Sequence, residues 1–226
     1  MRVYRKIKII ITLFFLVLSP AVFSAEQDAF DYDNVSSSLF WNGLYPTGGW
    51  TLYCGYRFDN NRRINDGKVV VIDHIYAMDW MVKYLKCKNR LQCHETSKRF
   101  ERMEADMHNL YPVWQGLVLY RNAHPFGEIP GEDWRFNDCD FEWNGQKVEA
   151  RPIARGNIAR AIFYMHAKYQ LPIDPDMLKV LKDWNRKDPP SKQEKERNDR
   201  IEKLQGQRNP YIDNPSLANS IQPRPH

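Results

Sequence analysis

VVVIDHIYAMDW, residues 69–80, decides how the rest of the chain is read. Val69, Val70, Val71 and Ile72 form a short β-branched run of the kind that builds a buried strand. It ends on Asp73 and His74 side by side, after which the apolar character resumes. Neighbouring strand residues point to opposite faces, so an acid and a histidine in sequence do not form a one-sided surface pair. The strand either stops here, or the two side chains have chemistry to do.

Outward from this strand, TLYCGYRF (residues 51–58) reads as another strand and DNNRRINDG as a turn. Residues 26–50 read as a polar, turn-rich lead-in. Helical spacing follows from Trp80 to Lys86 and from Thr96 to Met107, with Ser97 near the second start. The stretch HNLYP breaks that pattern, and DCDFEWNGQKVEA suggests a hairpin turning at Asn144-Gly145. In ARGNIARAIFYMHAKY, Ile158, Ile162, Met165 and Tyr169 share one helix face; in DPDMLKVLKDWN, Leu178, Leu181 and Trp184 do. SKQEKERNDRIEKLQG reads as a charged, solvated helix closed by Gly206, and the chain from Pro215 onward as a disordered tail. No internal repeat and no linker is evident, so a single α+β domain is expected.

The N-terminus sets the compartment. Arg2, Arg5, Lys6 and Lys8 precede the apolar run IIITLFFLVL, and small residues surround Ala25. This is the layout of a cleavable secretory signal, and the run is short for a membrane span of about 20 residues. The expected division is a signal peptide at residues 1–25, a domain at 26–217 and a tail at 218–226, with the mature chain in the periplasm or secreted. Removing the signal's four basic residues leaves 29 against 28 acids, so the formal charge of +5 shrinks to about +1 and does not by itself require nucleic acid. Cys54, Cys87, Cys93 and Cys139 are an even set in an exported chain, pointing to two disulfides. The five-residue gap in CKNRLQC does not suit zinc. Three pairings exist, and Cys87–Cys93 with Cys54–Cys139 is the one favoured here.

Three segments resemble the bacterial endonuclease I family, non-specific nucleases of the ββα-metal (His-Me finger) class. They are Asp73-His74 after its strand, MEADMHNLYP (residues 103–112) with Arg121 downstream, and ARGNIARAIFYM together with DPPSKQEKERNDRIEKLQGQRNPYIDNP. The resemblance covers roughly residues 50–217 and implies a ββα-metal core surrounded by helices. It implies a metal-dependent endonuclease hydrolysing phosphodiester bonds of DNA, with RNA as a further substrate class, bound through the backbone without sequence preference. It implies His74 as general base, Asp73 as ligand to Mg2+ or another divalent cation, and Arg90 on the phosphate; a monomer without stable membrane association is expected. Two departures stand out. The family's acid before the histidine is Glu, one methylene longer than Asp73, and its second metal ligand, an asparagine, aligns with Val118. Asn122, His124 and Asp79 are the candidate substitutes. The competing reading is a scaffold with impaired catalysis that binds nucleic acid or a protein partner. Glu104, Asp106, His108 and Asn109 read as scaffold, Arg121 as structural, and Arg155 and Arg160 as buried ion-pair partners. Arg197, Arg200, Lys203 and Arg208 form either a basic surface for nucleic acid or a solvated face.

Overall fold

The computed structural model describes residues 31–136 and 138–224; the expected signal peptide at residues 1–25 lies outside them. Its centre is the antiparallel pair β3 (Val70–His74) and β4 (Leu110–Trp114), in register from Val70 opposite Trp114 to His74 opposite Leu110. The sequence pattern shows β3 but not β4, because Pro112 and the polar HN ahead of it break the strand signature. Proline is tolerated here because β4 lies in a two-stranded sheet, where few ladder donors are required. Beyond His74 the ladder continues through a side chain. Asn109 accepts from the Tyr76 amide (2.6 Å) and donates to its carbonyl (3.1 Å), while Ile75 N–H bonds the Asn109 carbonyl.

Before this sheet lie α1 (Tyr32–Asn34), a π-helix (Val35–Leu44), β1 (Gly49–Trp50) and β2 (Arg57–Phe58). The expected lead-in of turns is thus helical. It escapes a 3.6-residue search because its buried residues Val35, Phe40, Trp41 and Leu44 are unevenly spaced around the polar run Ser36-Ser37-Ser38. The expected strand TLYCGYRF is also corrected: only its end pairs, and residues 51–56 fold into a loop. Thr51 binds that loop through its backbone N–H to Tyr56 and its hydroxyl to the Tyr56 amide. Gly55 sits at φ +68°, where an added Cβ would strike the Arg151 guanidinium.

Helices α2 (Met78–Tyr84), α3 (Arg90–Thr96) and α4 (Lys98–Glu104) connect β3 to β4, with Asn89 and Ser97 capping the last two. After β4, a 3-10 turn leads into α5 (Val118–Arg121), and β5 (Phe141–Trp143) pairs with β6 (Val148–Ala150) as the expected hairpin. Helix α6 (Pro152–Tyr169) is buried on nearly every side, and α7 (Pro175–Lys187) packs its Leu178, Leu181 and Trp184 face into the same core. Helix α8 (Lys192–Gln205) ends at Gly206 in a left-handed cap. It is not the solvated rod its composition suggests, because Glu194, Arg197, Asn198 and Ile201 are buried. After α9 (Pro210–Asp213), Pro215–Ser220 forms a 3-10 turn that buries Ala218 and Ile221, so this part of the expected disordered tail is packed into the domain. Both disulfides, Cys54–Cys139 and Cys87–Cys93, pair as expected. The result is one α+β domain of helices around three small sheets.

Polar groups hold the helices together as firmly as apolar ones. Arg160, buried completely, meets both Glu194 oxygens (2.7 and 2.5 Å) and also donates to Asn185 and to the Asp188 carbonyl. Gly156 is required beside it, since a Cβ there would lie 2.0 Å from the Asp188 oxygen.

Candidate active site

Alternation along β3 sends the two adjacent residues to different neighbourhoods. His74 is buried on the side of Tyr32, whose ring centre lies 5.4 Å from the imidazole. Its Nε2 is 2.8 Å from the backbone carbonyl of Glu104. A carbonyl only accepts, so Nε2 carries the proton and Nδ1 is left with the lone pair. Burial lowers the His74 pKa to about 4, with the nearby Arg90 guanidinium acting in the same direction and the Glu104 carbonyl opposing both. The ring is therefore neutral at physiological pH.

Glu104 organises this side. Its carboxylate, nearly inaccessible, accepts from Arg90 Nε (2.5 Å) through one oxygen and pairs with His94 Nδ1 (3.0 Å) through the other. Arg90 lies at the N-terminus of α3, inside the loop closed by Cys87–Cys93, with its guanidinium 5.1 Å from the centre of the Tyr32 ring. More than half of the Arg90 side chain stays open to solvent while the carboxylate it meets is sealed. Arg90 thus keeps donors available to an incoming anion. The sequence reading placed Glu104 among scaffold residues; the structure makes it the group that positions both His74 and Arg90. Only its spacing in MEADMHN, ahead of the unrecognised β4, could have signalled that.

Asp73 points the other way. Its Oδ2 accepts from Tyr53 Oη (2.8 Å), and Tyr53 Oη accepts in turn from Arg121 Nε (3.1 Å). Burial raises the Asp73 pKa, while Arg121 and the Tyr53 hydrogen bond pull it back down. Arg121 is fully buried, bonded to the carbonyls of Ile75, Asn122 and His124 and lying 4.2 Å from the Phe126 ring centre, which agrees with its structural reading. The structure therefore joins His74 with Arg90 and sets Asp73 beside a separate tyrosine–arginine network. Tyr53 was missed because nothing in TLYCGYRF distinguishes it from a core tyrosine.

The metal-binding residues present a thin donor set. Asp73 has Oδ1 outside the Tyr53 bond. Val118 offers no ligand atom, and Asn122, at the end of α5 with φ +34°, uses its backbone carbonyl on Arg121. Asp79 is exposed in the first turn of α2. Among the described residues no group of three His, Cys, Asp or Glu side chains converges on one point. Such a set fits a hard cation held by one carboxylate, with waters and substrate phosphate completing its shell, as magnesium sites commonly are. It does not fit a closed protein cage.

Of the four basic residues around α8, Arg200 and Lys203 are exposed, and the other two are committed within the fold. Arg197 is buried against the carbonyls of Met107 and Leu110, and Arg208 is tied to Asp199, Glu202 and Asp213.

A family model described as Endonuclease I matches residues 42–216. The chain belongs to the endonuclease I family. An extracellular deoxyribonuclease of Aeromonas hydrophila is 34% identical over 194 residues, covering 76% of this chain and 85% of that protein. A periplasmic deoxyribonuclease of the same organism is 31% identical over 191 residues, covering 75% and 81%. An extracellular ribonuclease of Bacillus subtilis is 34% identical over 99 residues, about a third of each chain. Among the described residues no helix is long and apolar enough to cross a membrane.

Proposed function

We propose that this endonuclease I family member is an exported nuclease that hydrolyses phosphodiester bonds of DNA, and of RNA as a second class, without sequence preference. The observation that carries the assignment is the Glu104 carbonyl at His74 Nε2, which fixes the tautomer whose Nδ1 is a free base. Nδ1 takes a proton from water as the oxygen attacks phosphorus, and the P–O bond to the leaving oxygen breaks. That oxygen collects a proton from solvent. Arg90, held by Glu104 with donors still open, binds the phosphate and offsets the charge that grows on its oxygens. Asp73 would hold a divalent cation through Oδ1, and the bound cation supplies Lewis-acid stabilisation at the phosphate. In this reading β3 and β4 with the helix after them are the ββα-metal core. The deoxyribonuclease relatives, extracellular and periplasmic, support both the substrate and the exported location.

Plasmid nicking by the mature protein tests this, with magnesium, with chelator and with His74→Ala. Removing the base is expected to lower the magnesium-dependent rate roughly 10²–10⁴-fold. If wild type and variant are equally silent across divalent metals, Val118 in place of an amide ligand has cost the chain its chemistry. The nucleic-acid-binding scaffold reading then replaces the nuclease.

A further inference from the structure

Beside the candidate active site lies a cleft of about 520 Å³, floored by Val69 and by Val70–Ile72 of β3 and walled by Tyr32, Ser36, Trp41, Asn61, Arg62 and Arg63. Its volume is in the range of small-ligand sites, roughly 300–1,000 Å³. Tyr32 joins it to the site, since the same ring contacts His74 and underlies Arg90. The Arg62 guanidinium lies 5.3 Å from the centre of the Trp41 ring, with Trp41 nearly buried beneath it and Arg62 exposed above. Among the described residues Arg62 has no carboxylate partner, so this planar cation is held in place by stacking alone. Arg62 holds a left-handed backbone (φ +62°) and its carbonyl accepts from Val70 N–H, which fixes the turn against the strand. Trp41 and Ser36 belong to the π-helix, a conformation that recurs at functional sites.

We propose that this cleft is a nucleobase subsite, in which an unpaired base of the strand being cut stacks on the outer face of Arg62. A base on arginine on tryptophan is a sequence-tolerant platform, because every base has a π-face. Strand β3 advances about 3.3 Å per residue, close to the roughly 3.4 Å per nucleotide of a stacked strand. A base beside Val70 therefore lies a few nucleotides from a phosphate at His74. The cleft deepens the nuclease reading and rests on it: it favours single-stranded or frayed substrate over intact duplex.

The test uses the mature protein carrying His74→Ala, so that binding is read without cleavage. Fluorescence anisotropy compares a twelve-nucleotide oligo-thymidylate with a blunt duplex at one salt concentration. Arg62→Gly removes the platform while suiting the left-handed backbone, and Arg62→Lys keeps the charge without the planar face. Both are expected to weaken single-strand binding about 5- to 150-fold, the range of one lost base stack, and duplex binding by no more than about threefold, one charge's share. Unchanged melting midpoints show that both variants fold. Equal loss on both substrates, or retention by Arg62→Lys, reduces the cleft to a simple basic contact and overturns the proposal; so does unchanged single-strand binding. Plasmid nicking by the wild type decides the catalytic reading separately, so either can fail without the other.

Discussion

Two arginine–glutamate pairs in this molecule have the same contact distance and opposite meanings. Arg160–Glu194 and Arg90–Glu104 each close to 2.5 Å. In the first, both side chains are wholly inaccessible; in the second the glutamate is sealed but the arginine is 54% exposed. A buried pair must satisfy every donor internally, and Arg160 does so through Glu194, Asn185 and the Asp188 carbonyl. Arg90 spends one donor on Glu104 and keeps the remainder for solvent or phosphate. The first pair fastens α6 to α8. The second aims a cation beside a neutral histidine.

Breaking each pair separates the two roles. Glu194→Ala leaves Arg160 charged and unpartnered inside the protein, at an expected cost of about 3–5 kcal/mol. For a domain of this size, a melting midpoint lower by about 10 °C is expected, with activity per folded molecule unchanged. A midpoint within 2–3 °C of wild type, in the uncertainty of roughly one such increment, would show that the core does not depend on this pair. Arg90→Ala is expected to do the reverse. It should lower kcat/KM by about 10²–10³-fold, as loss of one preorganised donor does elsewhere, while the melting midpoint falls less than in Glu194→Ala, because His94 still meets the sealed Glu104 carboxylate. A drop in stability without a drop in rate would make Arg90–Glu104 another fastener.

The Cys87–Cys93 bridge sharpens the contrast, because it encloses Arg90. Its short loop predicts only about 2 kcal/mol of stabilisation from chain entropy. Replacing both cysteines with alanine should therefore cost little in chemical denaturation, yet lower activity further than that loss explains, by freeing Arg90 from its position. Full activity in the double variant would show that Glu104 alone aims it.

The last effect concerns pH. His108 bonds the Gln207 carbonyl through Nε2 (2.9 Å), while its Nδ1 has no partner among the described residues. Burial lowers its pKa to about 4, against the pull of Asp106 and the Gln207 carbonyl. Since the unfolded chain takes up the proton near pH 6.5, the stabilisation is complete above that value and is lost as pH falls towards 4. The slope is at most about 1.4 kcal/mol per pH unit for this one group. Urea unfolding from pH 7 to 4 should show it, and His108→Gln should flatten it; an unaltered slope would assign the acid sensitivity to other groups.

How much of this was legible in residues can be seen at particular places. Asp73-His74 stands out because a charged acid beside a histidine ends a β-branched run, and the α6, α7 and α8 segments show in their spacing, caps and breakers. The even cysteine count, behind an expected secretory signal, points to two bridges. The π-helix was hidden because three consecutive serines interrupt its apolar spacing. Strand β4 was hidden because Pro112 obscures it, and with it went the position of Glu104. The charge pattern of α8 concealed a buried face, since Arg197 and Glu194 find partners only in distant segments.

The sequence by itself determined the family, the three long helices α6, α7 and α8, and the chemical character of the residue pair on β3. Those follow from local chain physics, meaning side-chain periodicity, turn geometry and the chemistry of each side chain. Only the tertiary structure decided that Glu104 holds both the histidine and Arg90, that Asp73 meets Tyr53 and through it Arg121, and that an arginine–tryptophan stack opens beside them. Each of these depends on contacts between segments far apart in the chain. Burial and partner geometry, which exist only once the chain has closed on itself, decide whether a charged side chain is a fastener or a tool.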